Sequence, residues 1–129
     1  MYEKKVPFDL KCGIKIAMDV IGGKWKSCII FNLSKGPMRP SELMKYYPEA
    51  NTRVINSQLK ELLEYGVVKK TIYPELPPHS EYALTEVGES LLPIVNSLEA
   101  WGEEFRPKMK AILEARGEEY FGSADRGGW

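Results

Sequence analysis

The chain has 129 residues, 43% of them hydrophobic, enough to bury the core of one ordinary domain and too apolar for an intrinsically disordered protein. Lys and Arg number 18, as do Asp and Glu, so a net charge of zero identifies no anionic partner. The distribution is informative: Met1 to Tyr73 holds 13 basic and 7 acidic residues, a net of +6, and Pro74 to Trp129 holds 5 and 11, a net of −6.

Two cysteines, Cys12 and Cys28, and a single histidine, His79, are too few for a disulfide framework or a four-ligand Cys/His zinc site, so neither metal nor cofactor is expected. The N-terminus carries Glu3, Lys4, Lys5, Asp9 and Lys11 and lacks the apolar core of a signal peptide. The longest apolar run, Cys28 to Phe31, is far too short to span a bilayer. A soluble, cytoplasmic protein with no membrane partner is expected.

In chain order, Ile14, Ala17, Met18 and Ile21 recur at helical spacing and end at Gly22-Gly23. Trp25 to Ser34 predicts a helix buried nearly all round, closed by Gly36-Pro37. Arg39 to Tyr47 predicts a short helix with Pro40 at its first position and Leu43, Met44 and Tyr47 inward. Asn51 is a good N-cap for a helix whose Ile55, Leu59, Leu62 and Leu63 form one apolar face and whose natural stop is Gly66. Val67 to Tyr73 and Glu81 to Leu84 read as a hairpin with a proline-rich tip, Pro74 to Pro78. Thr85 then caps a long helix with the stripe Val87, Leu91, Ile94, Val95, Leu98, Trp101 and Phe105, which Pro107 should kink or restart before Met109 to Ala115.

This order is that of a winged helix-turn-helix, mainly α with a two-stranded β-hairpin wing (α+β), in which a short helix braces a second one that enters the major groove. The expected division of the single domain is a core at 13–85, C-terminal dimerisation helices at 86–117 and a flexible tail at 118–129. With Ile55, Leu59 and Leu62 inward, a turn of about 100° per residue sets Arg53, Ser57, Lys60 and Glu64 outward, with Thr52 and Asn56 at the edge of that face. Arg53 suits guanine, Asn56 adenine, and Thr52 or Ser57 a phosphate or base edge. Arg39 and Ser41 on the bracing helix, with Lys69, Lys70 and His79 on the hairpin, complete the expected DNA-binding set. The alternatives are a solvated helix face and strand lysines that protect a sheet edge.

The run Cys12, Asp19-Val20-Ile21-Gly22-Gly23-Lys24-Trp25, Gly36-Pro37, Arg53-Val54, Gln58-Leu59 and Gly66-Val67-Val68 resembles the HxlR-type transcriptional regulators. So does the continuation Tyr73-Pro74-Glu75-Leu76-Pro77-Pro78, Glu81-Tyr82, Leu84-Thr85, Leu91-Leu92-Pro93 and Trp101-Gly102. The resemblance covers about Cys12 to Gly102. It implies a non-enzymatic homodimer, distantly related to the MarR group, that binds double-stranded DNA and pairs through its N- and C-terminal helices. The implied interface holds Ile14, Val87, Leu91, Ile94, Val95, Leu98, Trp101 and Phe105.

The resemblance also makes Cys12 a candidate redox or electrophile switch, with Lys11 and Lys15 close enough to favour its thiolate. Two departures stand out. His79 occupies a wing position that is often arginine, and Pro40 one that is often aromatic. Cys28 reads as inert core. An enzyme finds little support, since His79 has no evident catalytic partner and Glu99, Glu103 and Glu104 read as a solvated face. A protein-interaction adaptor and a non-specific architectural DNA binder remain as other readings, and no effector is written in the sequence.

Overall fold

The computed structural model describes residues 7–122. Four helices come first: α1 (Gly13–Ile21), α2 (Lys26–Leu33), α3 (Pro40–Met44) and α4 (Thr52–Glu64). The antiparallel pair β1 (Val68–Tyr73) and β2 (His79–Leu84) follows, then α5 (Glu86–Ser90) and α6 (Leu92–Ala115).

The core forms where α2, α3, α4 and the base of the hairpin converge. Ile29, Ile30, Leu43, Tyr47, Ile55, Leu59, Leu62 and Val67 are fully covered, and Trp25 stacks obliquely on Tyr47 at 5.1 Å between ring centroids. Met38 exchanges two backbone hydrogen bonds with Tyr82, at 3.0 and 2.8 Å, tying the entry to α3 onto β2.

Local chemistry sets the ends of the elements. Asn51 Oδ1 accepts from the Arg53 N–H at 2.7 Å and caps α4. At the other end Gly66 takes φ +75°, and the N–H groups of Gly66 and Val67 donate to the carbonyls of Leu63 and Leu62. That left-handed stop suits a residue without Cβ and turns the chain directly into β1. Thr85 Oγ1 donates to the Gly66 carbonyl at 2.5 Å and accepts from the Gly88 N–H at 3.2 Å, so one hydroxyl joins the α4–β1 corner to the start of α5.

Three features differ from expectation. The long final helix is interrupted at Leu91, because Pro93 in the first turn of α6 has no N–H to continue the preceding helix. Pro107, expected to kink or restart the chain, lies inside a continuous 24-residue helix. β2 begins at His79 rather than Glu81, so that His79 pairs with Tyr73 across the ladder and the turn is confined to 74–78. Of the expected loose tail, residues 118–122 fold back on α6 through Glu118 N–H to the Leu113 carbonyl and Tyr120 hydroxyl to Glu114, while 123–129 lie outside the described residues.

A Cβ at Gly88 would lie 2.3 Å from the Val67 carbonyl oxygen and 3.0 Å from a Leu84 methyl. Gly88→Ala is therefore expected to force the α5 junction apart and lower stability by about 1–3 kcal/mol, read as a fall in the urea midpoint at unchanged slope.

Candidate nucleic-acid interface

The candidate surface is built by α3, the turn at 45–51 and α4. Pro40 opens α3, whose first turn closes when Glu42 Oε1 accepts from the Arg39 N–H at 2.8 Å. Arg39 and Ser41 stay exposed at this end. On α4, Ile55, Leu59 and Leu62 are buried while Thr52, Arg53, Asn56, Ser57 and Lys60 are exposed. Among the described residues the side chains of Arg53, Asn56 and Lys60 make no ion pair or hydrogen bond, so their donors and acceptors are available to a ligand.

Two polar contacts from the α1–α2 corner fix the orientation of α4. The Trp25 N–H donates to Gln58 Oε1 at 3.0 Å, and the Gln58 side chain also packs against Gly23, which turns at φ +93°. One residue on, Lys26 is buried and pairs with Glu61, its ammonium lying 5.6 Å from the centroid of the Tyr65 ring. Sequence reading treated Gln58 only as part of a motif and did not single out Lys26 or Glu61. The partners lie 33 and 35 positions apart, and the one available signal is a lysine in a helix expected to be buried nearly all round.

The wing departs from the expected arrangement. Lys69 and Lys70 are both exposed, but as neighbours in β1 they project from opposite faces. Lys70 stands over the Tyr82 ring at 5.8 Å. His79 is not at the tip: its ring stacks on Tyr73 at 4.8 Å, and its Nδ1 lies 3.2 Å from Glu75 and its Nε2 4.0 Å from Glu81. The reason is its pairing inside the ladder, which turns the imidazole toward two carboxylates of its own chain.

Cys12 is half-buried at the N-cap of α1, where its carbonyl accepts from the Ile16 N–H; Lys15 is drawn to Asp9 at 3.3 Å. Cys28 is half-buried rather than sealed in the core, and burial, with Glu99 and Glu49 adding, pushes its thiol pKa up. Of the implied interface set, Ile14, Val87, Ile94, Leu98 and Trp101 are at least half exposed or close to it, and Trp101 stacks on Phe105 at 4.8 Å. Val95 is instead 2% exposed, with Leu91 packed beside it against the chain's own core. Its turn of α6 faces α2, so it adds nothing to an outward surface.

A bracing helix, a second helix with a polar outer face and an antiparallel hairpin beside it define a winged helix-turn-helix protein. Residues 20–110 match the HxlR-like helix-turn-helix family, and the chain belongs to that family. It is 36% identical over 105 residues to the HTH-type transcriptional regulator YdeP of Bacillus subtilis, covering 81% of this chain and 82% of YdeP. The redox regulator HypR in its reduced form superposes with a TM-score of 0.73 at 36% identity, covering 78% of this chain and 99% of HypR. A transcriptional regulator of the MarR family from Porphyromonas gingivalis superposes with a TM-score of 0.70 at 36% identity, covering 78% of this chain and 98% of that one. The chain is thus a helix-turn-helix transcriptional regulator. Among the described residues no helix is long and apolar enough to cross a membrane.

Proposed function

We propose that the chain binds a near-palindromic operator as a homodimer, with Thr52, Arg53, Asn56, Ser57 and Lys60 of each copy in successive major grooves about 34 Å apart. The observation that carries this reading is an uncommitted polar face on a helix that its own core and two polar contacts hold in one orientation. Arg53 and Asn56 read base edges and Lys60 meets phosphate. Arg39 and Ser41 contact the backbone from α3. On the hairpin only one of Lys69 and Lys70 can face a given duplex, and His79, turned toward Glu75 and Glu81, makes at most a small contribution.

The apolar residues left exposed on α1 and α6 support the dimer. Ile14 is 75% exposed, Met18 54%, Leu98 51% and Trp101 64%, an amount of apolar surface expected to be covered by another protein surface. The control step is assigned to Cys12. HypR is described as a redox regulator in both reduced and oxidised forms, and Cys12 stands at the base of one of the two proposed dimer helices. Oxidation there changes how the two copies meet and with it the spacing of their α4 helices.

Anisotropy on DNA upstream of the chain's own and neighbouring genes should show at least about 1,000-fold preference over a scrambled duplex. Arg53→Ala should weaken specific binding by about 1–3 kcal/mol without moving the unfolding midpoint, and Arg53→Glu should weaken it further. Equal binding to both duplexes would make the protein an architectural binder, and no binding together with indifference to Arg53→Glu would make it an adaptor. In sedimentation, Leu98→Lys with Trp101→Glu should shift the mass from twice to once the 14.7 kDa chain, and a wild type already monomeric would remove the dimer from the mechanism. Diamide should change operator affinity in the wild type and leave Cys12→Ser unaffected; equal responses would exclude the switch.

A further inference from the structure

Between α2 and α6 lies a cavity of about 320 Å3, lined on one side by Cys28, Phe31 and Asn32 and on the other by Val95, Leu98 and Glu99. Its walls are mainly apolar and its volume falls at the small end of the range for organic ligands. Two observations describe what would fill it. The first is Asn32, which is 1% exposed. Its Nδ2 donates to the Tyr47 hydroxyl at 2.6 Å, while Oδ1 is buried with no hydrogen-bond partner. A buried acceptor left unmatched is costly and uncommon. Because Nδ2 is given to Tyr47, the atom left unmatched is an acceptor.

The second is charge. Glu99 and Glu103 both line the cavity, against the single guanidinium of Arg106, which is already held by both oxygens of Glu103. Glu103 and Glu104 stay exposed, as expected of a solvated face, while Glu99 is half-buried; Glu99 and Glu103 border the cavity and Glu104 does not. Partial burial, then the Glu103 charge, pushes the Glu99 pKa up, and Glu99 in turn helps to raise that of Cys28. The cavity is electronegative and presents acceptors.

We propose that this cavity binds a small organic cation, an ammonium or amidinium carried on an apolar body. Its N–H groups donate to Asn32 Oδ1 and to the Glu99 carboxylate, and its body packs on Phe31, Val95 and Leu98. An anion of the same shape would meet two carboxylates and is rejected. Since α2 braces α4 and α6 carries the exposed dimer stripe, an occupant wedged between them changes the angle at which the recognition helix is presented. That consequence rests on the operator-binding reading, whereas the binding site itself does not.

The test uses the full chain without DNA, titrated calorimetrically with 2-phenylethylammonium, 2-phenylethanol and 3-phenylpropanoate, three probes of similar shape and different charge. The cation should bind saturably, the alcohol more weakly and the carboxylate not at all. Glu99→Gln should cost about tenfold in affinity for the cation, and Asn32→Leu should weaken it as well if that variant folds. Saturating cation should slow alkylation at Cys28, followed by peptide mass, and leave Cys12 unchanged. The proposal is overturned by equal or absent binding of the three probes, by unchanged affinity in Glu99→Gln or by protection at Cys12 instead. Binding that emerges only after Trp101→Glu dissociates the chains also overturns it, since a partner chain would then be the occupant. Because no duplex is present, failure here and failure of operator binding are separate results.

Discussion

The orientation of α4 is the constraint on which the rest of the molecule depends. Ile55, Leu59 and Leu62 anchor one side of that helix in the core, which fixes its depth, but a buried apolar stripe alone tolerates small rotations and slides. The Gln58 hydrogen bond to the Trp25 N–H and the Lys26–Glu61 pair remove that freedom, because each requires a particular turn of α4 to face the α1–α2 corner. The lysine is the expensive member: it lies in a buried position and is tolerable only with its carboxylate and the Tyr65 ring beside it. In exchange the polar face of α4 points outward in one rotational setting.

The same corner links the two ends of the molecule's task. Gly22 and Gly23 end α1 and bring the backbone close to Gln58, so α1, with exposed Ile14 and Met18, is one tight turn from the contacts that hold the recognition helix. α6 meets the opposite side of α2 through Val95 and its neighbours. α2 therefore stands between both outward-facing apolar helices and α4, and a change in how either helix is seated reaches α4 through α2.

Local signals in the sequence carried most of the elements. Asn51, Gly66 and Thr85 mark their boundaries because capping is decided within four residues, and the 3.6-residue period of Ile55, Leu59 and Leu62 marks the inward face of α4. Periodicity names an apolar face without naming what covers it, so Val95 and Leu98, three positions apart, read as one stripe although Val95 is sealed against the core and Leu98 is half exposed at the edge of the cavity. His79 was misplaced because turn length is set by how many residues the ladder recruits, which the proline-rich composition alone leaves open. The Lys26–Glu61 and Asn32–Tyr47 pairs, 35 and 15 positions apart, and the cavity beside Cys28, whose two walls lie more than 60 positions apart, arise from helix packing for which no short-range pattern exists.

The separation of charge along the chain has a kinetic consequence. Basic residues outnumber acidic ones 13 to 7 in the sequence up to Tyr73, and acidic ones outnumber basic ones 11 to 5 beyond it, with a total of zero. A neutral molecule gains little attraction from a distant polyanion, so it is not held indiscriminately along a duplex. The exposed basic side chains of α4 and β1, Arg53, Lys60, Lys69 and Lys70, nevertheless feel a duplex within about a Debye length, ~8 Å at physiological salt, of contact. The arrangement favours attraction at close range over distant capture, and raising the ionic strength should cost it less in residence on random sequence than it costs a protein of high net positive charge.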